Sequence, residues 1–395
     1  MTTRRWVLGG GVAAAAVAGL GYRAWERGVF SSGEGPAYAP WAEWPAPAAE
    51  GLKGAVRAAV LAANAHDTQP WLFGLHADGV DVYADRARNL GTFDPFRREM
   101  QLSVGAAIAN LLMAASVSGY SVNRYEVTAG RLALSPPDAA MLVTRIGFVR
   151  TGQTTPRLQL LAASIPRRHT NRFAYDPGRR IARVVLDAII SPAQQQNVAV
   201  AFITDPGARK EFGSLIVEAT QRIIDDRDMS NDSARWFRAG LDEVNERRDG
   251  ITVDASGASP VMRMAAKMLP DLGASSADSA WLSMTRDTQV ATAPVFGMLL
   301  VKDRFDMATA LTAGQCWQLM HLSATSLKLA AQPMNQPVEC MDRNAMLGRR
   351  DVYAGELAKF AKLPGWEPTF VFRLGVPMEE APASPRRPLA DVLRA

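Results

Sequence analysis

Two stretches of the chain are apolar on almost every face of a helix. One is 105–115, where apolar residues recur at i, i+3, i+4 and i+7 and the run ends near Gly119. The other is 314–324, continuing to Leu329. A helix that is apolar all round belongs in an interior, so the pattern predicts two central, buried helices. Each follows a similar lead-in. A helical stretch over 52–64 leads into Asp67-Thr68-Gln69-Pro70-Trp71, and a helical stretch over 181–190 leads into Pro192. Alternating runs at 80–83, 198–203 and 370–374 read as strands. The fold class expected is therefore α+β, with mixed or antiparallel sheets packed against central helices. The repeated layout divides it into two fused, pseudo-dimeric halves, 48–165 and 166–395. The stretch from 223 to 294 fits the repeat poorly. It is polar, helical in parts over 233–247, and reads as an insertion, with 226–290 forming a lid.

The N-terminus carries a different pattern. Thr2-Thr3-Arg4-Arg5-Trp6-Val7-Leu8 opens into a Gly-, Ala- and Val-rich run reaching Tyr22. A charged start, an arginine pair and a moderately apolar segment are the layout of a twin-arginine export signal over 1–30. Ala16-Val17-Ala18 offers a small-residue cleavage site, and an uncleaved anchor is equally compatible. Gly9-Gly10-Gly11 lacks the preceding strand that a dinucleotide-binding turn requires. Residues 31–47, rich in Gly, Pro, Ala and Trp, read as a linker. The expected address is the periplasm or the outer face of the cytoplasmic membrane, reached through the Tat export machinery.

Composition narrows the chemistry. The 395 residues are 48% apolar and 21% charged, enough for a substantial core. The net charge of +5 is scattered, with part of the excess in Arg4-Arg5 and Arg386-Arg387, so no basic stripe points to nucleic acid. The two cysteines, Cys316 and Cys340, form no metal-binding spacing, and no metal is expected. Cys316 reads as buried packing, and a disulfide with Cys340 stays open for an exported protein.

Three further stretches carry a resemblance. They are Ala62-Ala63-Asn64-Ala65-His66-Asp67-Thr68-Gln69-Pro70-Trp71, then Ile165-Pro166-Arg167-Arg168-His169-Thr170-Asn171-Arg172, then Ala331-Gln332-Pro333-Met334-Asn335 followed by Phe372-Arg373-Leu374-Gly375. In that order they resemble the small-polar loop, the arginine motif and the late apolar segment of the nitroreductase superfamily. With loop and arginines in one chain, the sequence looks like the internally duplicated Acg-like branch, a monomer imitating the usual homodimer.

The resemblance implies a nitroreductase-like fold and bound FMN. It implies Arg167, Arg168, Thr170 and Arg172 at the phosphate, with Arg373 adding to them; forked guanidinium donors suit a phosphate. It places Ala65, His66, Thr68 and Gln69 near the ring or ribityl chain, and Pro333 and Met334 at the ring edge. The family needs no dedicated acid or base, which agrees with the lack of any triad pattern. An aspartate such as Asp67 beside the ring would disfavour negative charge on the reduced flavin. His321, on an apolar helix, reads as a core histidine, and His169 as support for the arginine turn.

The function expected is an FMN oxidoreductase. It would pass electrons from a donor such as NAD(P)H to a nitroaromatic or quinone-like acceptor. An exported protein that sequesters flavin without ordinary turnover is the alternative, and an interaction domain without flavin the third. The halves differ in their basic motifs, so one FMN per chain is expected.

Overall fold

The computed structural model describes residues 21–44, 50–134, 137–195, 197–269 and 273–394. Arg4, Arg5 and the glycine triplet lie outside them.

The two central helices are present and equal in length, Arg98–Val117 and Met307–Ser326, 20 residues each. Each begins at an aspartate side chain that accepts from the first turn. Asp94 accepts from the Glu99 and Met100 amides at 3.1 and 3.0 Å, and Asp306 accepts from the Thr309 amide at 2.8 Å. Each ends two residues before a left-handed position, Gly119 (φ 82°) and Lys328 (φ 59°), which turns the chain into a strand. The two helices pack on each other at the centre of the molecule. Arg98–Val117 is long and apolar enough to cross a membrane, but most of it is buried inside the protein, as a core helix is.

Two antiparallel sheets flank this pair. The first contains β1 (Trp71–Leu75), β2 (Gly79–Ala84), β3 (Tyr120–Val127) and β4 (Met141–Arg150) in the order β1-β2-β4-β3. The small strands β6 (Phe237–Arg238) and β7 (Ile251–Thr252) form a separate parallel pair. The second main sheet contains β5 (Val198–Ile203), β8 (Val295–Val301), β9 (Ala330–Pro333) and β10 (Glu367–Gly375) in the order β5-β8-β10-β9. In both sheets the strand order is first, second, fourth, third, and a central helix joins the second to the third. The helix Arg183–Ile190 leads into the second sheet as Leu52–Ala59 leads into the first. β8 is buried along its whole length and β10 at all but its first residue, because helices cover both faces of that sheet.

Three features depart from the sequence pattern. Residues 36–44 are not a linker: Ala37, Tyr38, Trp41 and Trp44 are buried in the first half's core. Their aromatic surface gains more from burial than a Pro- and Gly-rich composition implies. Secondly, the end of the chain crosses over. β11 (Leu393–Arg394) pairs in parallel with β1, Phe73 opposite Leu393, so the second half's tail completes the first half's sheet. Thirdly, 233–247 is not one helix. Arg227–Ala234 and Leu241–Arg247 are separated by β6, and Gly240 breaks the run. Both cysteines are buried and free.

Candidate functional site

A cavity of about 1250 Å³ opens beside the crossing of the central helices. Ala63, Leu102, Trp317 and Phe370 contribute an apolar part of its lining. Trp317 is fixed by Phe370 and Phe372, with centroids 4.6 and 5.1 Å away. Polar groups interrupt the walls at Asn64, Ser103, Ser233, Gln289 and Gln332. The roof comes from the insertion, through the helices Pro260–Met268 and Ala274–Ser283, and from Arg23, Glu26 and Arg27 near the N-terminus. Ser230 donates to Asp278 at 2.8 Å and ties two parts of that insertion together.

The loop 64–69 is held in an unusual backbone. His66, Asp67 and Gln69 all have positive φ, 49°, 54° and 50°. Each such non-glycine residue costs about 1–3 kcal/mol and persists only where surroundings impose it. Asn64 imposes it here, accepting from the Gln69 amide at 2.8 Å and donating to Asp67 at 3.1 Å. The result divides the loop's side chains between the cavity and the protein interior. Ala65 and His66 face the cavity, and the His66 ring meets Phe93 edge-on at 4.8 Å and Ser233 Oγ at 2.9 Å. Burial, with Arg172 nearby, pushes the His66 pKa down to about 3, so it is a neutral hydrogen-bonding group.

Asp67, Thr68 and Gln69 point away from the cavity. Asp67 is paired with Arg386, which also donates to Ala62 O at 3.2 Å. Burial raises the Asp67 pKa to about 6 while Arg386 opposes the rise. The expected electrostatic penalty of Asp67 on a flavin is therefore corrected: the carboxylate is directed at a guanidinium in the protein interior. Thr68 Oγ1 donates to Ala65 O, and Gln69 is wholly buried, clamping Arg248 O at 2.8 Å and the Arg387 amide at 2.7 Å. In the sequence Arg386 is only surplus charge, and no local signal marks a partner 319 positions away.

The arginine motif is divided in the same way. Thr170 bridges to Ala331, which adds this segment to the free edge of β9, and Arg172, Gln332 and Pro333 line the cavity together. Gly257 (φ 89°) lies so close that a Cβ there would stand 2.4 Å from Arg172 O, so the loop wraps the arginine's backbone. Thr170 and Arg172 line the cavity. Arg172 donates to Ala255 O at 3.2 Å and makes no ion pair among the described residues, which leaves its other N–H groups for the cavity. Burial lowers its pKa to about 10, still fully charged at neutral pH.

Arg167, Arg168 and Arg373 do not reach the cavity. Arg167 is exposed, 3.3 Å from Ser164 Oγ. Arg168 is buried, donating to Leu61 O at 3.0 Å and lying over the Trp41 ring at 5.9 Å. Arg373 is fully buried in β10. It donates to Gln332 Oε1, Gln289 O and Phe173 O at 2.6–2.9 Å and stacks on Tyr175 at 3.8 Å. Its donors are consumed by the protein, so it staples β10 to the arginine turn and offers a ligand nothing. Pro333 lines the cavity, whereas Met334 is buried in the second-half core.

His321 is a core histidine packed on Trp317, with its pKa far below the ordinary value through burial. His169 packs edge-on against Trp41 at 4.6 Å, and burial lowers its pKa to about 3. Among the described residues no cluster of His, Cys, Asp or Glu could hold a metal ion.

No protein-family model matches the chain. It is 26% identical over 364 residues to two Mycobacterium tuberculosis proteins, from strains CDC 1551 and H37Rv, each provisionally named NAD(P)H nitroreductase. The match covers 88% of this chain and 92% of each relative, and it supports the nitroreductase superfamily resemblance. Among solved structures, an FMN-dependent nitroreductase from Mycobacterium smegmatis in complex with NADPH is 16% identical. It covers 60% of this chain and 98% of its own, with a TM-score of 0.39. A nitroreductase-like protein from Anabaena variabilis is 10% identical, covering 76% of this chain and 69% of its own, with a TM-score of 0.43.

Proposed function

We propose that this chain is a flavin-binding oxidoreductase of the nitroreductase type. FMN would bind in the cavity and pass electrons from a reduced donor such as NAD(P)H to a small nitroaromatic or quinone-like acceptor. One observation carries the reading: Arg172, half-buried and without a carboxylate partner among the described residues, lines the same cavity of about 1250 Å³ as Ala63, Leu102, Trp317 and Phe370. A half-buried guanidinium with no counter-charge favours an anion beside it, and a terminal phosphate is such an anion. The hydroxyls of Thr170 and Ser233 fit the hydroxylated chain, while Trp317 and Phe370 provide the ring surface. Bound FMN supplies the hydride chemistry. The protein's share is to bind, orient and keep water out.

The shared strand order and the paired helices favour an internally duplicated, Acg-like chain, a monomer that mimics a homodimer. Arg4-Arg5 and the following run support export by the twin-arginine route. The insertion's share of the cavity lining supports the second reading, a protein that sequesters flavin.

The test is the visible spectrum of the purified full-length chain, with NADPH then added anaerobically. A flavin spectrum that bleaches promptly supports the reductase. A spectrum bleached only by dithionite supports sequestration. No flavin, even with excess FMN, rejects both.

A further inference from the structure

At the inner end of the cavity two carboxyl groups meet. Glu99 lies in the first turn of the first central helix, and Glu339 in the first turn of the helix Gln336–Met346. Both line the cavity, both are at least nine-tenths buried, and both touch Asn335, whose carbonyl accepts from the Glu339 amide at 3.0 Å. Asn335 Nδ2 donates to Glu99 Oε1, while Glu339 Oε2 is buried with no partner.

Glu339 makes no ion pair among the described residues, and a buried carboxyl without a counter-charge keeps its proton. The surroundings do not supply enough positive charge to ionise both. Arg98 donates to Asp342 at 2.7 Å and to Thr369 O, and its remaining nitrogen, Nη2, lies 3.5 Å from Glu99 Oε1, so its one charge is divided between Asp342 and Glu99 and it makes no ion pair with Glu339. Arg304 is committed to Asp342 at 2.8 Å. Arg97 serves Asp94 O and, more distantly, Asp138 at 3.8 Å. Four buried acids, Asp94, Glu99, Glu339 and Asp342, thus face Arg97, Arg98 and Arg304. Cys340 beside them is a buried thiol, and His66 on the same cavity is neutral.

We infer that the Glu99–Glu339 pair holds one proton on the cavity wall and gives it to the acceptor as the acceptor is reduced. The inference rests on the flavin reading above. Burial first, then the mutual repulsion of the pair, raises the Glu339 carboxyl far above its ordinary range, and burial raises Glu99 to about 7.

The step balances as follows. A quinone-like acceptor takes two electrons and one hydrogen as hydride from the reduced flavin, which a nicotinamide donor has recharged. It takes the second hydrogen as the proton from the carboxyl pair, giving a hydroquinone. A nitro acceptor takes the same hydride and proton to give a nitroso product and water. The carboxylate left behind recovers its proton from solvent through the cavity. General acids placed in this way contribute about 10²–10⁴-fold.

The experiment has two readouts. Infrared spectra of the full-length protein at neutral pH, in H2O and D2O, are expected to show a protonated carboxyl C=O band. Glu339→Gln removes it and Glu99→Gln shifts it. This readout needs no turnover and holds whether or not the flavin reading survives. In stopped flow, Glu339→Gln is expected to leave bleaching by the donor unchanged and to slow reoxidation by a quinone about 100-fold, with Glu339→Asp in between. A neutral-pH protein without the band, or a Glu339→Gln variant that reoxidises at the wild-type rate, overturns the inference. If Glu339→Gln does not fold, the wild-type band and Glu339→Asp decide it.

Discussion

Gly105 and Gly314 occupy the same position on the two central helices, and each faces the other helix's backbone. A Cβ at Gly105 would stand 2.1 Å from Leu311 O, and one at Gly314 would stand 2.0 Å from Leu102 O. Leu102 and Leu311 are likewise three residues before each glycine. The contact is reciprocal about a local two-fold, as in an isologous dimer interface, although one chain makes both sides. It brings the helices close enough for Gln318 to donate to Asn110 at 2.8 Å and accept from the Ala63 amide at 3.0 Å, which anchors the start of the site loop.

Gly105→Ala and Gly314→Ala are therefore expected to destabilise the protein by similar amounts. Overpacking costs about 1–3 kcal/mol, and the upper end applies because what must give is backbone. The double variant is expected to cost less than the sum, since the helix shift that relieves one clash relieves the other. Urea denaturation of the three variants checks this, and wild-type midpoints in either single variant would count against the close approach.

Arg172→Ala is expected to weaken FMN binding about 10–100-fold, the loss of one or two hydrogen bonds to a charged group. Arg167→Ala, at an exposed position, is expected to bind as the wild type does. Arg373→Met is expected to lower stability first, because it removes a buried staple. Quenching of FMN fluorescence, measured beside thermal unfolding, separates the three. Equal losses of affinity in Arg167→Ala and Arg172→Ala would contradict the site geometry.

The pH dependence of stability has opposing parts. His66 and His169 have pKa values lowered to about 3, and His321 lies far below its ordinary value. Their stabilisation is full above the unfolded value of about 6.5 and is lost as pH falls toward 3. Asp67 and Glu99 are raised to about 6 and about 7, and Glu339 higher. Their contribution is full below the unfolded value of about 4 and is lost as pH rises through the folded one. Between pH 6 and 4.5 the two sets oppose each other and stability is expected to change little. Below about pH 4 only the histidines act, and stability is expected to fall at up to ~4 kcal/mol per pH unit for three protons. Urea midpoints from pH 7 to 3.5 test this. A steep loss already between pH 6 and 5 would show that the acids are not raised.

One FMN per chain is expected. The start of the second central helix, the counterpart of the cavity's Glu99 end, is packed by the protein itself. Leu132, Met307 and Ala310 form a small buried cluster with Phe96, Met141 and Phe305 against it. The Met307 amide donates to Gly130 O at 3.0 Å, and the Leu132 amide donates to Phe305 O at 2.7 Å. Absorbance of released flavin against protein concentration gives the ratio, and a value near two would mean that this cluster opens.

Much of this was local enough to read from the chain. The two central helices are apolar all round, and the runs 80–83, 198–203 and 370–374, read as strands, fall inside β2, β5 and β10, so the local pattern located them. The loop 64–69 and the arginine turn were also recognisable, since their residue order carries the resemblance.

What the sequence could not determine is which side chains of those motifs face the cavity. Arg172 and Arg373 are the same residue type and both lie in recognised motifs. One is left open because Thr170 joins β9, and the other is consumed because β10 is buried on both faces. Asp67 turns away because Arg386, at the far end of the chain, is buried opposite it, and Trp41 enters the core where composition implied a linker. The carboxyl pair at Glu99 and Glu339 exists only because two helix starts converge. Periodicity is a property of neighbours in the chain, whereas direction, burial and charge pairing depend on residues hundreds of positions apart, and only the tertiary structure brings those together.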